Sequence, residues 1–162
     1  MKHLKTFENI DKIKDHFNKN LEYIDKLRNK LKNIHKLIND YFESNGCEVE
    51  NYIDGGKWVS EYSIKNKRYN CSVSLYILNR KINIDINLLI LWNEPLKYGY
   101  GFILDLLDNI NGIELIKKNP LYVNDNYHYG DNFQFKVNNP NKAIDELTKK
   151  INLAKSAKKY NL

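Results

Sequence analysis

The chain opens with an apolar repeat in which hydrophobic residues recur alternately three and four positions apart. The repeat runs through five heptads and is apolar at nine of its ten a and d positions, which are Ile10, Ile13, Phe17, Asn20, Ile24, Leu27, Leu31, Ile34, Ile38 and Tyr41. This spacing predicts one long amphipathic helix over residues 1–46, whose apolar stripe must be covered by the chain itself or by another molecule. Gly46 suits its end, because glycine takes the left-handed conformation without steric cost, and Thr6 or Asn9 are candidate caps at its start.

After residue 54 the apolar period changes from helical to two, which is typical of half-buried strands. Three strands are predicted, with apolar faces at Trp58, Tyr62 and Ile64, then at Tyr69, Cys71, Val73, Leu75 and Ile77, and then at Ile82, Ile84, Ile86, Leu88, Ile90 and Trp92. Turn-forming residues separate them, so the pattern predicts an antiparallel meander with one strongly apolar face. A shorter strand over Cys47–Ile53 is a further candidate.

The last third of the chain predicts one short helix, two strands and a final helix. The short helix passes through Phe102, Ile103, Leu106, Leu107 and Ile110 and closes at Gly112. Strands are expected at Ile113–Lys117 and Phe133–Val137, with a polar loop or irregular hairpin over Asn124–Asn132 between them. The final helix spans residues 139–160, with Asn139 as its cap and Pro140 in its first turn.

These elements predict a single α+β domain over residues 1–162 in the order α-β-β-β-α-β-β-α. A mostly antiparallel sheet of about five strands (47–137) is expected to be covered on one face by the long N-terminal helix and the C-terminal helix. Apolar residues at Leu21, Leu37 and Phe42 make the stripe of the first helix wider than a coiled-coil seam, which favours packing on the chain's own sheet. A helix of about 38 residues is about 57 Å long, but a strand of about eleven residues reaches only about 37 Å. One end of the helix should therefore overhang the sheet, as a surface for a partner protein or, in a homodimer, for a second copy.

The composition is that of a folded protein from an AT-rich genome. Hydrophobic residues make up 42% and charged residues 28% of the chain, which argues against global disorder. There are 25 Asn, 23 Lys and 18 Ile against 3 Arg and 3 Ala, a bias toward AT-rich codons that suits a bacterial or phage source. Two cysteines without a Cys-x-x-Cys spacing exclude a disulfide scaffold and fit a reducing compartment. With no signal-peptide pattern and no membrane-length apolar run, we expect a cytoplasmic protein without membrane contact.

The net charge of +6 is concentrated at the two ends of the chain. Residues 1–46 carry +3, residues 47–135 carry −2, and residues 136–162 carry +5. The densest basic cluster is Lys149, Lys150, Lys155, Lys158 and Lys159. Such a cluster can bind phosphates, so a nucleic-acid-binding module is one alternative, although lysines near a helix C-terminus are also favoured by the helix dipole. The absence of arginine there predicts weak sequence preference.

Catalytic signatures are sparse. The element order is also that of restriction-type nucleases, but Asp85 and Asp54 lack the following lysine that a divalent-metal nuclease needs beside its carboxylates. His128 is the one histidine in a predicted loop, yet no motif places a serine or cysteine nucleophile beside it. A nuclease or other hydrolase centred on Asp85 or His128 is therefore the weakest alternative, and we expect no metal and no cofactor.

The leading hypothesis is a non-enzymatic interaction protein, a small regulator or inhibitor that binds a protein or ribonucleoprotein. Tyrosine and asparagine give adaptable contacts at low entropic cost. Two segments are rich in them, and their candidate contact residues are Tyr98, Tyr100, Phe102, Tyr127, His128 and Tyr129. The glycines around Tyr100 resemble a phosphate loop only in part, because the third glycine and the lysine of such loops are missing.

Overall fold

The structure is a computed structural model that describes residues 2–64, 67–91, 106–107, 110–123 and 128–159. Its elements are α1 (Lys2–Ser44), β1 (Cys47–Asp54), β2 (Lys57–Ile64), β3 (Lys67–Leu78), β4 (Lys81–Leu91), β5 (Ile113–Val123), β6 (His128–Val137) and α2 (Pro140–Lys159). The predicted α+β class, the long N-terminal helix and the C-terminal helix are confirmed. The described strands number six, because the candidate over Cys47–Ile53 is a full strand.

All six strands belong to one antiparallel sheet with the order β1-β2-β3-β4-β6-β5. The first four strands form the predicted meander. β6 then pairs with β4 and places β5 at the outer edge, opposite the other edge strand, β1. Of the predicted short helix, Leu106 and Leu107 are helical and buried and Ile110 is buried, whereas Phe102 and Ile103 lie outside the described residues.

The core lies between one face of the sheet and the two helices. Alternate residues of the central strands are almost completely buried, as the period-two pattern predicts: Val73, Leu75, Ile82, Ile84 and Ile86. α1 supplies Leu31, Ile34, Ile38 and Phe42 to the same cluster, and α2 supplies Ala143 and Leu147. Burial of this apolar surface is the main stabilising term of the fold.

The helix ends follow the sequence signals with one exception. Gly46 follows α1 with φ of 83°, and its N–H donates to the carbonyl of Glu43 at 3.0 Å, as expected for a glycine stop. Asn139 caps α2, since its Oδ1 accepts the N–H of Lys142 at 3.2 Å. The predicted cap at Thr6 or Asn9 is wrong, because α1 is already helical at Lys2. Within the described residues we find no helix whose length and apolar content would let it cross a lipid bilayer.

Candidate protein-interaction surface

The long helix α1 has two halves with different environments. Toward its C-terminal end, Leu27, Leu31 and Ile34 are buried against the sheet and α2. Toward its N-terminal end, every side chain that the structure describes between residues 10 and 19 is exposed. The predicted overhang is therefore confirmed. The expectation that the stripe would pack mainly on the sheet holds only for the C-terminal half.

The sheet ends where the tip of the β3–β4 hairpin contacts α1. Asn79 and Arg80 form this two-residue turn with φ of 51° and 59°, the conformation that a tight hairpin with the native strand twist requires. The Arg80 guanidinium donates to Oδ1 of Asn20 at 3.0 Å, and the Tyr23 hydroxyl donates to the Arg80 carbonyl at 3.3 Å. Asn20, the polar exception in the heptad repeat, is thus used within the chain to hold this turn.

Four large apolar side chains remain exposed on one side of the helix, three before Asn20 and the fourth directly after it, and we call them the projecting stripe. Their exposed fractions are 43% for Ile10, 68% for Ile13, 61% for Phe17 and 46% for Leu21. Their spacings of three, four and four residues keep them on one face. Asp15 and Lys19 lie on the opposite face of the helix and form an ion pair at 2.8 Å, so their charges neutralise each other. The chain therefore presents a narrow apolar ridge, and on the opposite, polar face of the helix this acidic and this basic side chain pair with each other.

A second feature, a polar network that is buried except at Asn51, lies beneath the other half of α1. Nε2 of His35 is 2.6 Å from Oγ of Ser60 on β2, and the Ser60 hydroxyl donates to Oδ1 of Asn51 at 2.6 Å. The same Asn51 oxygen accepts Nδ2 of Asn39 at 2.9 Å, and Oδ1 of Asn39 accepts the Tyr62 hydroxyl at 2.6 Å. Since the Ser60 hydroxyl is donated to Asn51, the contact with His35 requires the ring to donate through Nε2–H. The network is a continuous chain of hydrogen bonds between helix and sheet.

The serine–histidine contact does not form a nucleophilic site. Ser60 is completely buried and its hydroxyl is already shared with Asn51, so a substrate has no access to it. Burial lowers the pKa of His35, and Trp58 packs edge-on against the ring with a centroid distance of 5.4 Å. A hollow of about 440 Å³ lies beside this contact, lined by Lys32, Asn33, His35, Lys36, Asn39, Asn51, Tyr52, Ile53 and Trp58. These contacts fix α1 on the sheet. No local sequence pattern predicts them, because His35 and Ser60 are 25 positions apart in the chain.

The candidate residues in the tyrosine-rich segments are only partly placed by the structure. Tyr98, Tyr100, Phe102 and Tyr127 lie outside the described residues. His128 and Tyr129 belong to β6, where their backbones pair with Leu91 and Ile90 of β4, and their side chains lie outside the description. Of the two alternatives predicted for Asn124–Asn132, the hairpin is confirmed, because β5 and β6 pair antiparallel with Val123 opposite His128. The loop alternative is wrong from residue 128 onward, since these residues also pair with β4.

The basic cluster of α2 is partly engaged within the chain. Nζ of Lys149 forms an ion pair with Glu146 at 3.0 Å, and Nζ of Lys150 donates to the carbonyl of Leu106 at 3.4 Å. The Lys155 side chain is exposed. Lys158 and Lys159 continue the helix, with side chains outside the described part of the chain. The described lysines therefore do not form a uniform cationic face.

The acidic residues considered for a nuclease lie apart from one another. Asp85 lies in the middle of β4, on the sheet face away from the core, where its Oδ1 accepts the Tyr76 hydroxyl at 3.3 Å. Burial raises the pKa of this carboxyl group. Asp54 ends β1 at an exposed hairpin. Across the ranges that the structure describes, no three histidine, cysteine or acidic side chains lie close enough together to hold a metal ion.

Comparison of the chain with protein families, curated proteins and solved structures found no match. Function must therefore be argued from the geometry of this molecule. The fold does not account for the projecting stripe, because its four side chains are exposed and take no part in the core.

Proposed function

We propose that this protein is a non-enzymatic interaction protein that binds another protein through the projecting stripe. The single observation that carries the proposal is the exposure of Ile10, Ile13, Phe17 and Leu21 in one row on a helix. Exposed apolar surface costs about 25 cal/mol per Å² relative to burial, and contiguous exposed apolar patches typically mark interaction sites. The stripe makes no contribution to the core that would offset this cost.

The stripe suits insertion of a helix into a groove of the partner. In that mode an amphipathic helix offers anchors three, four and seven residues apart, as Ile10, Ile13 and Phe17 are. Phe17 lies in the middle of the described stripe, and aromatic residues at the centre of an interface commonly carry much of the binding energy. A protein that fills such a groove would act as a regulator or inhibitor of its partner, of bacterial or phage type.

Nucleic-acid binding through α2 is the weaker alternative. Glu146 partly neutralises Lys149, and the Lys150 ammonium group is turned toward the carbonyl of Leu106, which leaves fewer cations available for phosphates. A hydrolase is weaker still, because Ser60 is inaccessible and Asp85 already accepts a hydrogen bond from Tyr76.

The proposal is tested by affinity capture from the native cell with wild-type protein and two variants. The double variant Ile13→Lys/Phe17→Lys disrupts the stripe. Leu153→Lys is the matched control, because Leu153 is 70% exposed on α2, comparable to Ile13. We expect the double variant to fold normally and to lose partners that the control retains, with or without nuclease. Capture of the same proteins by the double variant, or partners that vanish only after nuclease treatment, would contradict the proposal.

A further inference from the structure

The apolar residues around Phe17 are arranged symmetrically along α1. Ile13 lies four residues before Phe17 and Leu21 four residues after it, while Ile10 and Ile24 lie seven residues before and after. The row therefore has nearly the same shape when it is read in either direction. A two-fold interface requires such a patch, because each residue must meet the symmetry-related set running the opposite way.

We infer that the occupant of the projecting stripe is a second copy of this chain, with the two α1 helices crossing antiparallel at Phe17. This inference rests on the proposed function, since it names the partner of the same surface. The two-fold axis passes between the two Phe17 rings and brings Ile13 of each copy to Leu21 of the other. Residues four apart form the ridges by which crossed helices interdigitate, and paired aromatic rings add to the contact.

A hollow at the base of the stripe supports the antiparallel direction. It measures about 550 Å³ and is lined by Ile24, Arg28, Leu31, Gly56, Trp58, Ile77, Asn79 and Arg80. The two-fold operation brings Ile10 of the second copy next to Ile24, one of the residues that line this hollow. An apolar side chain thereby meets a partly apolar recess. A parallel pair in register would instead bring Ile24 of each copy to Ile24 of the other.

The charges that border the stripe are few and do not oppose self-association. Lys14 lies on one edge, and Asn20 with its bound Arg80 lies on the other. In the crossed pair the two Lys14 positions are separated by six residues of helix, about 9 Å. That distance is about one Debye length at physiological salt, so their repulsion is largely screened. Added salt should therefore leave the dimer intact, whereas it would weaken binding of these cations to an acidic partner.

The contact is small, so the dimer must exchange with the monomer. The projecting stripe contributes four large side chains per copy, against about 20–30 residues on each side of a standard stable interface. Protein concentration is therefore the variable that reveals the dimer. Sedimentation velocity should show the monomer converting to a dimer as concentration rises over a roughly hundredfold range. The Ile13→Lys/Phe17→Lys variant should remain monomeric throughout, and Leu153→Lys should behave like the wild type.

Disulfide trapping tests the crossing point and the direction. The natural cysteines, Cys47 and Cys71, are buried and do not interfere. Under mild oxidation Phe17→Cys should link to itself, because the axis passes through this position. Ile13→Cys alone should not, since its two copies lie about 12 Å apart along the helices, beyond the roughly 7 Å limit for a disulfide between Cα atoms. A mixture of Ile13→Cys and Leu21→Cys proteins should link.

The possible results distinguish failure of the dimer from failure of the proposed function on which it rests. A protein that stays monomeric at all concentrations, with no self-link at Phe17→Cys, overturns the dimer. If the double variant still loses captured proteins in that case, the stripe binds a different protein and the proposed function stands. Equal self-linking of Ile13→Cys and Phe17→Cys would overturn the antiparallel crossing.

Discussion

Nε2 of His35 lies 2.6 Å from Oγ of Ser60, although the two residues are 25 positions apart and lie on different elements. The contact joins the helix to the second strand of the sheet and belongs to a network that continues through the exposed Asn51 to the buried Asn39 and Tyr62. Buried polar groups are costly unless all are paired, so a satisfied network favours one position of the helix over its neighbours. It joins the C-terminal half of α1 to β1 and β2.

Stability should fall as the pH drops through the range in which unfolded histidine is protonated. Burial lowers the pKa of His35 in the folded chain below its ordinary value of 6.5. Below 6.5 the unfolded state therefore binds a proton that the folded state does not, which favours unfolding. We expect the free energy of unfolding in urea to decrease from pH 7 to pH 5. His35→Gln should lower stability at pH 7 but flatten this dependence, because the variant no longer carries the ring that takes up the proton. An equal slope in the His35→Gln variant would contradict the prediction.

Removal of the Tyr62 hydroxyl should destabilise the fold. Tyr62→Phe leaves Oδ1 of Asn39 buried without its donor, and an unpaired buried polar group costs about 1–3 kcal/mol. Tyr52→Phe is the matched control, because the Tyr52 hydroxyl donates to Glu61 at 2.8 Å at an exposed position. Denaturant unfolding should show a clear loss for the first variant and little change for the second. Equal losses would argue that the network contributes no more than a surface contact.

Truncation of the apolar stripe should affect stability in only one half of α1. Ile34 is completely buried, so Ile34→Ala should cost about 2–5 kcal/mol through lost burial and a residual cavity. Ile13→Ala should change the unfolding free energy by no more than about 0.5 kcal/mol, because the side chain is exposed. The comparison should be made at a concentration where the protein is monomeric. A large loss for Ile13→Ala in the monomer would mean that the N-terminal half packs on the domain.

The turn before β5 should tolerate no side chain at Gly112. Its φ is 96°, and a Cβ there would lie 2.5 Å from the carbonyl oxygen of Asn139, the residue that caps α2. Gly46 is the control, since its φ is also positive but a Cβ would meet no atom within 4 Å. Gly46→Ala should cost roughly 1–2 kcal/mol from the left-handed backbone alone. Gly112→Ala should lower the thermal unfolding midpoint further, and equal effects would contradict the close approach.

The sequence predicted those parts of the fold that depend on the spacing of apolar residues and on the residues that end or cap helices. The alternation through Ile82, Ile84 and Ile86 predicted the inward face of β4, and Gly46 and Asn139 predicted a helix end and a helix cap. These signals are local, because side-chain direction repeats with the backbone and caps depend on the adjacent turn.

The candidate surface was predicted only in outline. Helix and strand lengths predicted an overhang, but the heptad repeat is equally apolar on both sides of Asn20, so it does not show which end projects. The Arg80–Asn20 contact decides this, and it joins residues 60 positions apart. The pairing of His128 with Leu91 and the contact of His35 with Ser60 are likewise long-range, and no periodic pattern reveals them.

Photo-crosslinking from Phe17 in living cells tests the central claim most directly, namely that the N-terminal half of α1 is a protein-binding surface. A photoreactive phenylalanine analogue is placed at Phe17 and, as the matched control, at Leu153, and adducts are identified by mass after irradiation. We expect a discrete protein adduct from Phe17, of twice the chain mass if the partner is a second copy, and none from Leu153. No adduct from Phe17, or the same adducts from both positions, would contradict it.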